Sequence, residues 1–317
     1  MARPVAKKLS AKGEHMRNYI ANGLTLAVLT AMPLMADPAE YDTPQDALDA
    51  MISALKAQDR AAVLEVFGTE AEDYLSEGDP VEDRVNRLVL LGLYAEGYRF
   101  VPQEDGSVMI AMGEKGWLFP VPVVKAENEK WSFDNEAGRE EVLLREIGGN
   151  ELDVIELMQA YVDIQSEFRQ FDHDGDGVME FASQIISTST AQPDGLFWAQ
   201  EGTLMGELFA RASANGYSDG ETDHPPEPFS GYYFRILTGQ SDAAPGGAMD
   251  YIVNGNMVGG HALLAVPAVF GETGVHSFMV SENGRLMQSV LGEDTLDRAA
   301  LITNYDPNAD WEPLNSE

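Results

Sequence analysis

Cysteine does not occur in the 317 residues. Disulfides, thiolate nucleophiles, zinc–thiolate sites and lipid attachment through an N-terminal cysteine are therefore excluded, and stability must come from packing or a bound ion. Positive charge is scarce: 20 basic residues face 53 acidic ones, for a net charge of −33. So negative a surface repels nucleic acid and anionic headgroups, which excludes nucleic-acid binding as a function. It favours cations and solubility instead, and adaptation to a salty medium produces the same excess, because screening weakens self-repulsion. Histidine is also sparse, with none between His15 and His173, so most of the N-terminal half lacks the commonest acid–base group.

The N-terminus has the layout of a signal peptide. In "MRNYIANGLTLAVLTAMPLMADPAEYD" a basic start at Arg17 precedes an apolar stretch from about Leu24 to Met35, then Ala36 and an acidic, proline-containing segment. That stretch is shorter than the ~20 residues a membrane-spanning helix needs, so a retained anchor is the lesser alternative. Residues 1–36 are expected to be a signal peptide with an N-terminal extension, starting at Met1 or Met16 and cleaved near Ala36. Cleavage would remove five basic residues and Glu14, taking the charge from −33 to −37. It would place the protein in the periplasm or outside the cell, with no stable membrane span, where calcium is plentiful.

A hydrophobic content of 44% suffices for one or two cores, and the pattern suggests two domains of an α+β protein. In "YDTPQDALDAMISALKAQD", Thr43 is a cap, Pro44 suits the first helical position, and Ala47, Leu48, Met51, Ile52 and Leu55 recur at helical spacing. A shorter helix is expected over 61–67, and "GDPVEDRVNRLVLLGLYAEG" repeats the capping device with Asp79 and Pro80. Short alternating runs follow: "EGYRFVPQ", "GSVMIAMG", "GWLFPVPVVKA" and "KWSFD". Pro120 and Pro122, two apart, suit one side of an edge strand. Helices before a curved antiparallel sheet over residues 43–146 resemble the cone-shaped fold of the nuclear transport factor 2 superfamily, whose members often hold a pocket between helices and sheet. Trp117, Phe119, Trp131 and Phe133 are candidates to line such a pocket, with ordinary core packing as the alternative.

"NEAGREEVLLREIGGNELDVIELMQAYVDIQSEFRQF" is read as two helices divided by Gly148 and Gly149, the second capped by Asn150. Val154, Met158, Tyr161, Ile164, Phe168 and Phe171 form its apolar stripe, which makes it the spine of a second domain over 150–312. It leads into "FDHDGDGVME". Hard divalent cations take oxygen ligands, and alternate aspartates converge when a glycine lets the chain turn sharply. Asp172, Asp174 and Asp176 would supply carboxylates, Val178 a backbone carbonyl and Glu180 a further carboxylate, directly or through water; the cation expected is calcium. Such an Asp-x-Asp-x-Asp-Gly match is expected by chance only about 0.01 times in a chain of this composition. Ser183 stands where a full helix-loop-helix site has its bidentate glutamate, and "FASQIISTST" is too β-branched for an exit helix. The alternative is an acidic turn whose aspartates cap the helix and face water.

After a helix expected over 203–214 and a polar linker, strands dominate: "GYYFRILTG", then "HALLAVPAVFGETGVHSFMVSENGRLMQSVLG", with a hairpin turn at Asn283 and Gly284. Together with "EGDPVEDRVNRL", "DHDGDGVMEFASQIIST" and "PGGAMDYIVNGNMVGG", these blocks resemble, in order, the exported bacterial proteins grouped as domain-of-unknown-function family 2950. That resemblance implies export and a domain layout but no activity. The second half also resembles, more loosely, globular heads of type IV pilins and pseudopilins, which implies a helix lying on an antiparallel sheet of about four strands.

Three functions compete. The first is a non-enzymatic binding or envelope-associated protein with a structural calcium loop, whose partner would be an envelope protein or polymer. The second is a hydrolase-like enzyme using His261 or His276 with Arg235, with Tyr232, Tyr233 and Asp194 as further polar candidates. The third is a small-molecule carrier using the N-terminal cone. A lone histidine at a strand start is more often structural than catalytic.

Overall fold

The computed structural model describes residues 37–76, 78–189, 193–198, 203–218 and 223–314, and the expected signal peptide lies outside them. The Thr43 hydroxyl accepts the Asp46 amide at 3.2 Å and Pro44 opens α1 (Pro44–Ala57). Asp59 caps α2 (Arg60–Phe67) in the same way. After the single turn α3 (Glu72–Leu75), Asp79 accepts the Val81 amide at 2.7 Å to start α4 (Pro80–Glu96). Five antiparallel strands follow: β1 (Tyr98–Pro102), β2 (Val108–Met112), β3 (Trp117–Leu118), β4 (Val123–Lys125) and β5 (Trp131–Phe133). Their order is β1-β2-β4-β5, with β3 also paired to β2. Because β2 pairs with both β3 and β4, the chain must turn between them, and Pro120 to Pro122 form that turn rather than part of an edge strand. Leu48, Met51, Ile52, Phe67, Ile110, Met112, Phe119, Val123 and Phe133 make the core between helices and sheet.

The expected pair of helices over 135–168 is one helix, α5 (Asn135–Phe168), of 34 residues. It runs unbroken through Gly148 and Gly149, and Asn150 is no cap: its side-chain amide donates to the Thr273 carbonyl at 3.0 Å. The physical reason is anchorage on both sides of the glycines. Arg139 and Arg145 donate to the carbonyls of Glu70 and Leu118, both at the N-terminal core. Asn150, Glu151 and Asp153 bind Thr273, His276 and Ser230 on the other side. Such tertiary ties outweigh a glycine penalty of ~1 kcal/mol each. Phe171 lies beyond the end of the helix and is 62% exposed, so the apolar stripe ends at Phe168.

After the short parallel pair β6 (Gln184–Ile186) and β7 (Gly195–Phe197), the C-terminal sheet contains β8 (Tyr232–Leu237), β9 (Ala262–Pro267), β10 (Ser277–Ser281), β11 (Leu286–Ser289) and the edge strand β12 (Glu312–Pro313), antiparallel throughout and in that order. Every residue of β9 and β10 is buried, as a sheet covered on both faces requires. α5 meets the face of Tyr232 and His276, while a short helix at Thr295–Ala300 meets the face of Arg235 and Leu264. Val154, Met158, Tyr161 and Phe168 of α5 join Phe234, Leu263, Phe278 and Val280 in one core. The helix expected over 203–214 is confined to Glu207–Arg211. No helix among the described residues is long and apolar enough to cross a membrane.

Candidate functional site

Two places stand out, a cleft in the N-terminal part and the acidic loop at the end of α5.

The cleft follows from how α4 is seated. Its sequence has apolar residues around too wide an arc for one buried face, and none of its side chains is fully buried. Val81, Val85, Leu88 and Val89 are more than half exposed, while Leu90 and Leu93 turn inward. Between α4, α1, α2 and the β3 region lies a cavity of about 790 Å³, open to solvent. Met51, Leu55, Val63, Phe67, Leu90 and Phe119 supply its apolar wall. The β2–β3 turn closes against α4 at Gly113, where φ is +74°, a left-handed conformation that favours glycine, and a Cβ would sit 2.8 Å from the end of the Leu93 side chain. Trp117 at the mouth is 40% exposed, and its ring carries the Arg145 guanidinium 5.5 Å from its centre. Trp117 and Phe119 therefore line a pocket, while Phe133 belongs to the core. The volume falls in the range of small-molecule sites, roughly 300–1,000 Å³.

In the acidic loop, Asp172 accepts the amides of Gly175 and Gly177 at 2.8 and 2.9 Å, which holds its carboxyl below the usual range. Gly177 has a φ of +88°, the left-handed turn that brings its amide back to Asp172. Asp174 accepts the Asp176 amide, and Asp176 accepts the Val178 amide and the Asn256 side-chain amide, the latter at 2.6 Å. One carboxylate oxygen from each of Asp172, Asp174 and Asp176 lies within 4.8 Å of the others, and all three residues are exposed. Glu180 accepts the Met257 amide at 2.8 Å. Burial pushes its carboxyl up, the Met257 amide pulls it back, and Asp174, Asp176 and Asp194 push it up again. Ser183 turns to the Asp194 carbonyl, and the chain leaves as a strand, Gln184–Ile186, so the twelfth-position acid and the exit helix are both missing.

The remaining candidates are dispersed. His261 is fully buried between Tyr161 and Phe181, with ring centroids at 5.2 and 4.7 Å, and neither of its nitrogens has a hydrogen-bond partner among the described residues. Burial, and secondarily Arg169, lowers its pKa to about 4. His276 is held through Nδ1 by the Glu151 carboxylate at 3.0 Å, and Glu151 also accepts the amides of Val275 and His276 at 2.9 Å. Arg235 donates to the carbonyls of Ala299 and Ala300, which ends the Thr295–Ala300 helix. His276 and Arg235 line different hollows, and Tyr232 is core while Tyr233 is half-buried. Asp194 binds the Thr188 amide and hydroxyl. Sequence reasoning missed Glu151, 125 residues from His276, and Asn256, 80 residues from Asp176, since neither carries a local signal. It missed the α4 wall as well, although the excess of apolar residues on that helix was there to be seen.

The class that emerges is an α+β protein with two hydrophobic cores threaded by one helix, an apolar cleft in the first and an acidic loop beside the second. The chain belongs to the family described as protein of unknown function (DUF2950), whose model matches residues 39–314. No curated protein and no solved structure matches it, and the cone-like and pilin-head likenesses remain resemblances of pattern. Function is therefore argued from the sites.

Proposed function

We propose that the protein is an exported, non-enzymatic binding protein that holds an apolar small molecule in the cleft between α1, α2, α4 and β3. The observation that carries this reading is the cavity of about 790 Å³ with its apolar wall, beside a helix that buries no side chain fully. It moves the weight from an envelope-partner protein to a carrier. Against an enzyme stands the separation of His261, His276 and Arg235 in the fold. Export rests on the layout of residues 16–36 and places the protein in the periplasm or beyond the cell. A neutral fluorescent apolar probe, N-phenyl-1-naphthylamine, should bind at one saturable site. Val63→Trp, which fills the wall between α1 and α4, should weaken it at least tenfold while leaving the melting temperature within a few degrees. Unchanged affinity in that variant would move the site elsewhere.

A second element of the proposal is a structural calcium ion on the acidic loop, supported by the convergence of three exposed carboxylates, one oxygen from each within 4.8 Å of the others. The Val178 carbonyl and Glu180 are further oxygen donors of the kind a hard divalent cation takes. The melting temperature should rise with the logarithm of calcium concentration, and Asp174→Asn with Asp176→Asn should abolish the rise. No shift at millimolar calcium would remove the ion from the reading.

A further inference from the structure

The charged groups around the cleft differ between its two ends. Near Glu96, the rim carries Glu114, Lys115 and Glu96 itself, whose carboxylate accepts the Glu114 amide at 3.2 Å. At the other end the cleft continues into a second hollow of about 370 Å³ that shares Leu55, Val63, Leu75, Asp83 and Arg87 with it. There the carboxylates are engaged: Glu72 pairs with Arg60 at 2.5 Å, Asp59 caps α2, and Asp83 accepts the Ser76 hydroxyl at 2.7 Å. Arg84 and Arg87, three apart on α4, both line this hollow, and neither has an ion-pair or hydrogen-bond partner among the described residues. A chain with 53 acidic and 20 basic residues thus places two guanidiniums, without a partner among the described residues, in the hollow that adjoins its apolar cleft.

We propose that the cleft takes a single-chain amphiphile with an anionic head, a long-chain carboxylate, whose tail lies along Met51, Leu55, Leu90 and Phe119 and whose head meets Arg87 and Arg84. A guanidinium offers a planar pair of donors that fits a carboxylate. The tail supplies most of the affinity through apolar burial and the head supplies orientation. At physiological ionic strength screening over about 8 Å confines the repulsion from the acidic remainder of the surface, so the local guanidiniums decide which head is accepted.

This inference rests on the carrier reading, and displacement of the neutral probe separates the two. The purified protein, loaded with N-phenyl-1-naphthylamine, is titrated with dodecanoate, dodecanol and dodecyltrimethylammonium, each below its micellar concentration. Dodecanoate should compete five- to tenfold more strongly than dodecanol, and the cationic amphiphile least. Arg84→Gln with Arg87→Gln should erase the advantage of dodecanoate, leave dodecanol unchanged and still bind the probe, which shows that the variant is folded. If the alcohol or the ammonium competes as well as the carboxylate, or the double variant keeps the preference, the anionic head is wrong and the carrier stands. If the probe itself finds no saturable site in the unaltered protein, the carrier falls and the head-group inference with it.

Discussion

The two cores of this chain are finished to different degrees. In the C-terminal part β9 and β10 bury every residue, with α5 on one face and the Thr295–Ala300 helix on the other. In the N-terminal part α4, three residues longer than α1, buries none of its side chains fully and leaves a cavity beside it. The first arrangement spends its apolar surface on stability; the second leaves some for a ligand. The largest effect expected from this contrast is a difference in sensitivity to truncation. Phe278→Ala in β10 should cost about 3–5 kcal/mol, since it opens a void among side chains that cannot collapse into it. Leu93→Ala, on a half-buried site facing a cavity that already exists, should cost no more than about 1 kcal/mol. Urea unfolding of the two variants measures both, and comparable losses would mean that α4 is packed as tightly as the sheet.

A second way to sharpen the contrast uses a histidine sealed in the C-terminal core. Among the described residues His261 has no partner for either nitrogen, and its pKa is lowered to about 4 from 6.5. Between those values the unfolded chain binds a proton that the folded one refuses. Stability is therefore complete above pH 6.5 and falls as the pH drops toward 4, by roughly 3 kcal/mol at ~1.4 kcal/mol per unit. The aromatic neighbours Tyr161 and Phe181 would accept a phenyl ring in its place. His261→Phe should be close to neutral at pH 7.5 and more stable than the unaltered protein at pH 4.5. Parallel stability-versus-pH curves for the two proteins would show that the histidine is not the titrating group.

Much of this architecture was legible in local chemistry. The caps at Thr43 and Asp79 start their helices where the residues say they should, because a side-chain acceptor near the first amides is a local matter. The 232–237, 262–267, 277–281 and 286–289 strands were equally visible. So were the aspartates of the loop, which sit within a few residues of one another. What was not legible depends on distant partners. Pro120 and Pro122 turn the chain because β2 pairs with strands on both sides of them, a fact of pairing rather than of composition. His276 acquires its carboxylate from another element, and the cleft exists only because α1, α2, α4 and β3 meet around it.

The smallest effect concerns the junction between the two cores. Gly148 and Gly149 lie inside α5, and a Cβ built on either meets nothing within 4 Å. Neither has a positive φ, so neither turn geometry nor close approach demands glycine there. Glycine in an exposed helix interior costs ~1 kcal/mol relative to alanine. Gly148→Ala and Gly149→Ala should each stabilise the protein by about that amount, together raising the melting temperature by a few degrees, provided that the helix is continuous in solution. Were the helix interrupted at this pair, as the local sequence suggests, alanine would disfavour the break and the double variant would be neutral or destabilised. Hydrogen exchange at the amides of residues 148–153 separates the two cases: slow exchange that slows further in the double variant fits a continuous helix. Fast exchange in both proteins would return the junction to two helices and leave each core to move on its own.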